Sequence, residues 1–501
     1  MSLNYNFIWL LCYLLVLVGL AGYGFHRLSI VYLYWKNRNN KPQPKARFQE
    51  LPVVTVQLPM FNEKFVVDRL LESVAALDYP QDRLEIQILD DSTDDTTEQC
   101  CRKVEELKSR GFDAVCIHRT DRTGFKAGAL EAATKTAKGE FLLILDADFV
   151  PEPDLLQKTI HFFTDENVGL VQTRWGHINR EYNLLTRIQG MYLDGHFAME
   201  QTARNRSGRF FTFNGTAGIW RKCVIGDAGG WSHDTLTEDM DLSYRVQLKG
   251  WRFIYLNDVV TPAELPVDMD GFKSQQHRWT KGSIQVCQKI LLDIWRSNAP
   301  LKAKVDLTCN YSYLLLALLC FLVYPICTQR IPENETVFMW FVNVALFFMT
   351  SVAVCIFYMS AQIVVRPKSW WKELPYLPLL LTLSVGMAVN NAKAVLEAIF
   401  GHQSAFVRTP KYGVDRKEDR RHVSQLKRNG YRAIKSVVIP VLEIACGTFF
   451  LNLIIIMIRQ GHYLSPILMI PFLGFYYTGF CSLGRMISNL LPAKQTAKAK
   501  N

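Results

Sequence analysis

A chain of 501 residues with 57 Lys and Arg against 46 Asp and Glu, a formal net charge of +11, is long enough for one large domain plus membrane helices. Hydrophobic residues make up 49% and the basic excess flanks repeated apolar stretches after residue 300, a positive-inside pattern that argues for a membrane protein and against nucleic acid as a partner. Twelve cysteines scattered from Cys12 to Cys481, with no CxxC pair, argue for reduced thiols and against a zinc site.

Phe7–Tyr23 is apolar and Val31–Trp35 continues it after His26-Arg27; with no small-residue cleavage site, 1–35 reads as a retained transmembrane helix. Tyr34-Trp35 form an interfacial belt, and Lys36, Arg38, Lys41, Lys45 and Arg47 place the next domain, 36–300, in the cytosol. That domain opens on a buried strand, Val53–Pro59, and a helix over 64–77 with Phe65, Leu70, Leu71 and Val74 on one face. A strand at Leu84–Leu89 ends at Asp90-Asp91. A helix over 95–109, a strand at Ala114–His118, a helix around Ala127–Thr136 and a strand at Phe141–Leu145 follow. The alternation predicts right-handed βαβ units and a mainly parallel, Rossmann-like α/β sheet. An amphipathic, interfacial helix is expected at 271–297.

Residues 301–492 hold apolar segments at 308–328, 336–365, 374–400, 435–458 and 464–491. From Arg408 to Lys435, both included, there are ten Lys and Arg against three acids, so the loop 401–434 is expected in the cytosol. An even number of crossings must then separate it from the catalytic domain. The segment 374–400, with Pro375, Pro378, Asn390, Asn391, Lys393 and Glu397, is the one expected not to cross fully. Five crossings result, six being the alternative, and the basic tail 493–501 returns to the cytosol.

Seven short motifs carry the chemistry. Asn62 and Glu63 follow the first strand, where a loop can clamp a nucleotide base; a plain strand–helix turn capped by Asn62 is the other reading. Asp90 and Asp91 can hydrogen-bond a base or ribose, or cap the Asp-Ser-Thr-Asp-Asp loop. Lys126, after Thr123-Gly124 and near a helix N-terminus, suits a phosphate. Asp146 and Asp148, one residue apart at a strand end, can hold Mg2+ or Mn2+ bridging two phosphates. Asn214, Gly215 and Thr216 offer a floor for a sugar ring, or an ordinary glycine turn. Thr237 is an N-cap with capping-box geometry for a helix carrying Glu238 and Asp239, the catalytic candidates, with Asp239 as the general base for an acceptor hydroxyl. In Gln275-Gln276-His277-Arg278-Trp279, Gln275 and Arg278 are candidates for the donor, Arg278 for its leaving diphosphate, and Trp279 can stack on an acceptor sugar.

Together these residues resemble the processive inverting glycosyltransferases of family 2, the cellulose-synthase-like superfamily, most of all the plant cellulose-synthase-like A and C groups and their bacterial relatives. The resemblance implies a GT-A fold, GDP-mannose or UDP-glucose as donor, and a growing β-1,4-linked mannan, glucomannan or glucan led into a transmembrane channel. It assigns the metal to Asp146 and Asp148, the base to Asp239 and acceptor stacking to Trp279. Phe406-Val407-Arg408-Thr409-Pro410-Lys411 resembles the superfamily's gating loop, departing from it at Arg408; Thr409 and Lys411 remain candidate phosphate contacts. Neither an N-terminal zinc module nor a C-terminal cyclic-dinucleotide domain is expected. Membrane lipids, and a second copy or an export component, complete the expected partners. The enclosing membrane is a bacterial plasma membrane, or the Golgi in a eukaryote. The alternatives are transfer of one sugar to a lipid acceptor, and a non-catalytic scaffold, which would need no general base.

Overall fold

Runs of Val, Ile and Leu form strands buried on both faces, as parallel strands between helical layers must be. In the computed structural model, which describes residues 5–309, 311, 336–402, 409, 411–414, 437–459 and 466–490, seven strands make one sheet. They are β1 (Val54–Met60), β2 (Leu84–Asp90), β3 (Asp113–His118), β4 (Phe141–Ile144), β5 (Val168–His177), β6 (Gly218–Arg221) and β7 (Arg252–Ala263), in the order β3-β2-β1-β4-β6-β5-β7. All pairings are parallel except those of β6, which runs antiparallel to both β4 and β5. The inversion at β6 leaves β1, β2, β3, β4, β5 and β7 pointing the same way, so six carboxyl ends open on one edge. That edge is where an open α/β sheet binds ligands.

One face of the sheet packs Val56, Leu58, Ile86 and Leu143 against α2 (Val67–Ala75) and α3 (Thr96–Ser109). The other packs Leu142, Ile144 and Trp220 against α4 (Phe125–Thr136). The first helix starts later than its apolar pattern predicts: α2 buries Val67, Leu70, Leu71 and Val74, whereas Phe65 precedes it and is 39% exposed. Residues 62–66 form a turn, with Asn62 at φ 54°. The short helices α5 (Leu155–Thr159), α6 (Leu184–Asp194), α7 (Thr202–Arg206) and α8 (Lys222–Asp227) come before α9 (Glu238–Leu248) and the long α10 (Met269–Arg296).

Residues 301–309 are helical (α11), and then come α12 (Thr336–Val365), α13 (Leu377–Gly386), α14 (Ala388–Ile399), α15 (Val438–Arg459) and α16 (Pro466–Leu490). The N-terminal helix α1 (Tyr5–Asn37) packs along α12, and α15 along α16. Among the described residues three stretches are long and apolar enough to cross a membrane: Leu14–Asn37, Trp370–Ile399 and Val438–Ile456. The second is not one straight helix. It breaks at Met387, and its polar residues turn onto α10: Glu397 Oε2 lies 3.0 Å from His277 and 3.2 Å from Lys281, and Asn390 donates to the Lys273 carbonyl at 3.1 Å. The N-terminal turns of α10 are tied to the last two helices by Lys273–Glu443 (2.6 Å) and by Arg485 with Asp268 (2.6 Å) and Asp270 (3.2 Å). Nearly all of the segment expected at 308–328, most of the loop 401–434 and the tail 493–501 lie outside the described residues.

Candidate active site

At the carboxyl edge of the sheet, one cavity collects Glu63, Asp91, Lys126, Asp146, Asp148, Asn214, Gly215, Glu238, Asp239, Gln275, Arg278, Trp279, Thr409 and Lys411. Glu63, Asp91, Lys126, Asp146 and Asp148 come from the loops and helix start beyond β1 to β4, Asn214 and Gly215 from the loop entering β6, Glu238 and Asp239 from the start of α9, Gln275, Arg278 and Trp279 from α10, and Thr409 and Lys411 from the 409–414 segment. Three candidates stand outside its lining. Asn62 takes a left-handed turn, and its Oδ1 accepts from Thr93 N at 2.8 Å; it caps no helix, since α2 begins at Val67. Asp90 is fully buried, accepting from Ser92 N (3.1 Å) and Thr97 Oγ1 (2.7 Å) and lying 2.7 Å from His118 Nδ1, so it serves the capping alternative. Thr216 is also buried, and its Oγ1 accepts from Asp146 N at 2.8 Å, steadying the loop after β4 from behind.

Cations hold the carboxylates in place. Lys126 Nζ donates to Asp146 Oδ1 (2.5 Å) and to the Gly215 carbonyl (2.8 Å), and Lys411 Nζ lies 2.5 Å from Asp148 Oδ1 and 3.8 Å from Glu63 Oε1. Burial would raise the Asp146 carboxyl, but Lys126, Lys411 and Arg278 outweigh it and hold the group below its usual range. Burial would lower Lys411, but the carboxylates beside it, Asp148 first, then Glu63 and Asp146, keep it above the ordinary lysine value.

Asp239 behaves in the opposite way. Burial first, then the charge of Glu238, push its carboxyl up to about 7, and Lys126 counters them only in part. Burial likewise raises Glu238. Asp239 Oδ1 accepts from the Met240 amide at 2.9 Å, inside its own helix turn. A side chain at Gly215 (φ 78°) would bring its Cβ within 3.1 Å of Asp239 Oδ2, so glycine lets the Asp239 carboxyl and the Asn214–Gly215 backbone share one floor. Thr237 precedes α9, but its side chain makes no capping hydrogen bond, contrary to the capping-box expectation; it faces α10 instead. A Cβ at Gly282 of α10 would stand 2.5 Å from Thr237 Cγ2.

Trp175, His177 and Glu264 line the cavity without a motif in the sequence, and further contacts shape the loops after β1, β2 and β3. The Arg122 guanidinium lies 3.4 Å from the centroid of Phe61, and Arg119 grips Asp91 through Nε (2.8 Å) and Nη2 (2.6 Å). Trp175 and His177 end β5, and Trp175 lies 6.5 Å from Trp279 in an edge-on arrangement. Glu264, just after β7, is raised to about 7 by burial, with the Tyr412 amide and Arg69 drawing it down and Asp148 pushing it up. A second cavity meets the first at Trp175, Asn214, Thr237, Asp239 and Trp279. It runs to Tyr23 and Arg27 of α1 and to Phe357 and Tyr358 of α12. Gln276 lines the second cavity and not the first, and His277 turns away to Glu397.

Among the described residues no group of three or more His, Cys, Asp or Glu is arranged to hold an ion unaided. Asp146 and Asp148 are hard oxygen donors that open on one cavity beside two lysines suited to phosphate. That set fits Mg2+ or Mn2+, which keep waters and take their remaining ligands from substrate phosphates, and does not fit a closed all-protein cage.

Residues 52–282 match the family described as glycosyltransferase like family 2. The chain is 42% identical over 286 residues to glucomannan 4-beta-mannosyltransferase 2 of Arabidopsis thaliana, covering 54% of this chain and 53% of the relative. It is 42% identical over 259 residues to glucomannan 4-beta-mannosyltransferase 1 of Oryza sativa subsp. japonica, covering 51% and 50%. The chain thus spans about half the length of both of these relatives. A mannosyltransferase from Pyrobaculum calidifontis, solved with GDP-Man and Mn2+, superposes with a TM-score of 0.51 at 21% identity, over 77% of this chain and 99% of that one; the two share a fold.

Proposed function

We propose that this chain, whose residues 52–282 form a family 2 glycosyltransferase-like domain, is a membrane-embedded processive inverting glycosyltransferase. It extends a β-1,4-linked glycan (mannan, glucomannan or glucan) from GDP-mannose or UDP-glucose. The observation that carries the reading is Asp239, a carboxyl raised to about 7 where the two cavities meet. A base of that strength takes a hydroxyl proton near neutral pH.

The donor's base lies by Phe61 and Arg122, its diphosphate by Lys126, Lys411 and Arg278, and its sugar over Asn214 and Gly215. Lys126 and Lys411 pass from Asp146 and Asp148 to the phosphates as the donor enters. Asp146 and Asp148 would hold a Mg2+ or Mn2+, which when bound offsets charge on the diphosphate. The acceptor reaches Asp239 through the second cavity, with its terminal sugar against Trp279 and Trp175. Asp239 removes the acceptor proton as that oxygen bonds to C1 of the donor sugar. The bond from C1 to the diphosphate breaks on the opposite face, so the anomeric centre inverts. Arg278 and the lysines receive the charge that develops on the leaving group. The aromatic run toward α1 and α12 supports an exit path for the lengthening chain. The names of the matched relatives favour GDP-mannose as the first donor to try. The domain faces the cytosol and the chain crosses the membrane five times, the run before residue 400 staying partly in the interface.

The test is radiolabelled sugar incorporation by the protein in lipid nanodiscs with Mg2+ or Mn2+, each donor supplied alone and both together. Insoluble polymer digested by β-mannanase or β-1,4-glucanase is expected and identifies the backbone. Label confined to the organic phase would replace this reading with transfer to a lipid acceptor.

A smaller test concerns the seam between α9 and α10. In Gly282→Ala the new methyl meets the short, branched Thr237 and must push α9 away, an overpacking of about 1–3 kcal/mol. Turnover is expected to fall by roughly tenfold with little change in donor KM, because Glu238 and Asp239 move relative to Arg278. Steady-state kinetics with varied donor checks it; an unchanged kcat would mean that the seam does not position the base.

A further inference from the structure

Glu264 is a carboxylate in the cavity lining to which the proposed chemistry gives no task. Its two oxygens accept from three consecutive backbone amides: Tyr412 N to Oε1 at 2.9 Å, and Gly413 N and Val414 N to Oε2 at 3.0 and 3.2 Å. Those amides directly follow Lys411, whose Nζ reaches Asp148 and Glu63. Two further contacts seat the segment. Tyr412 and Val414 are buried with Tyr182 and Val267, and Tyr412 Oη lies 3.5 Å from Asp268. The charged groups facing Glu264 are Arg69, at 3.5 Å from α2, and Asp148. With both oxygens occupied by main-chain donors, Glu264 is better placed to hold backbone than to touch a ligand.

We propose that Glu264 is a positioning residue: it docks the 412–414 backbone onto the end of β7 and thereby fixes where Lys411 stands over the Asp146–Asp148 pair. Lys411 can then exchange a carboxylate for a phosphate by rotating its side chain while its backbone stays in place. A carboxylate accepting three N–H bonds suits this task, since bonds to a charged acceptor are stronger than neutral ones and three of them fix a direction. The second half of the proposal, the effect on a donor phosphate, rests on the reading of the cavity given above; the docking itself does not.

Hydrogen exchange on the full chain in nanodiscs, without substrate, separates the two. In Glu264→Ala the peptide spanning 411–414 is expected to exchange about tenfold faster or more, while the peptide spanning β1 is unchanged. An unchanged 411–414 peptide would overturn the docking, whatever the enzyme makes. Should β1 lose protection as well, Glu264→Gln, which keeps one carbonyl acceptor, decides by the same comparison and is expected to fall between the two. GDP and UDP binding by Glu264→Ala, Lys411→Ala and the double variant then tests the link to Lys411. If Glu264 acts through Lys411, the double variant binds no more weakly than Lys411→Ala alone. Losses that add would overturn the positioning role and assign Glu264 an effect of its own.

Discussion

Replacing Asp239 by Asn is expected to lower sugar transfer by about a thousandfold or more while leaving nucleotide binding intact, because the amide keeps the shape but cannot accept the acceptor's proton. The pH profile supplies the sign. Asp239 must be ionised to act as a base, and burial with Glu238 holds its carboxyl near 7. The wild-type kcat/KM should therefore climb tenfold per pH unit below about 7 and level off above it. Glu238→Gln removes one of the charges that raise Asp239, so its acid limb should move to lower pH. Stability should run the other way. A carboxyl raised in the native state binds its proton more tightly folded than unfolded, so its contribution is full below the unfolded value and is lost as pH rises through about 7. Asp239→Asn removes that loss, and its Tm above pH 7 should equal or exceed the wild type's. An inactive variant with a lowered Tm would indicate misfolding instead. Activity above about a tenth of wild type would assign the base to another group.

The first four strands were legible because each βαβ unit repeats one pattern, an apolar run followed by polar residues at the strand end. Asp146 and Asp148 lie at such an end and Lys126 at the start of the helix that follows β3, and the cavity gathers all three. The later strands broke the pattern. β6 is four residues long and antiparallel, and β5 finishes on Thr-Arg-Trp-Gly-His, which has no clean alternation. Trp175, His177 and Glu264 carry no signal in the sequence, each being a single residue without a spaced partner. Adjacent carboxylates posed a different problem. Asp90 and Asp91 carry the same chemistry, and only the fold turns one toward His118 and Thr97 and the other toward Arg119 and the cavity. Local propensity misled at Asn62 and Thr237, residue types that favour helix caps; here one bonds across a turn to Thr93 and the other presses on Gly282.

Asp148 carries the second large expectation, and here the direction of the effect separates two chemistries. In the structure Asp146 and Asp148 each face an ammonium, Lys126 and Lys411 respectively, at 2.5 Å. If the lysines alone held the diphosphate, the two carboxylates would only repel it and compete for its cations. Asp148→Asn would then tighten GDP binding, and EDTA would change nothing. If instead the pair holds a divalent ion against the diphosphate, the same substitution removes a ligand. GDP binding with Mn2+ present should weaken by about a hundredfold, roughly 2.8 kcal/mol, and the stimulation by Mn2+ should disappear. Without the ion, however, the variant should bind GDP at least as well as the wild type, because one negative charge has gone. Calorimetric titration of GDP with and without Mn2+, on both proteins, yields all four values. A metal-linked site requires the effect of the substitution to change sign between the two conditions. A loss of the same size in both would mean that Asp148 shapes the pocket through Lys411 and Glu63 and binds no ion.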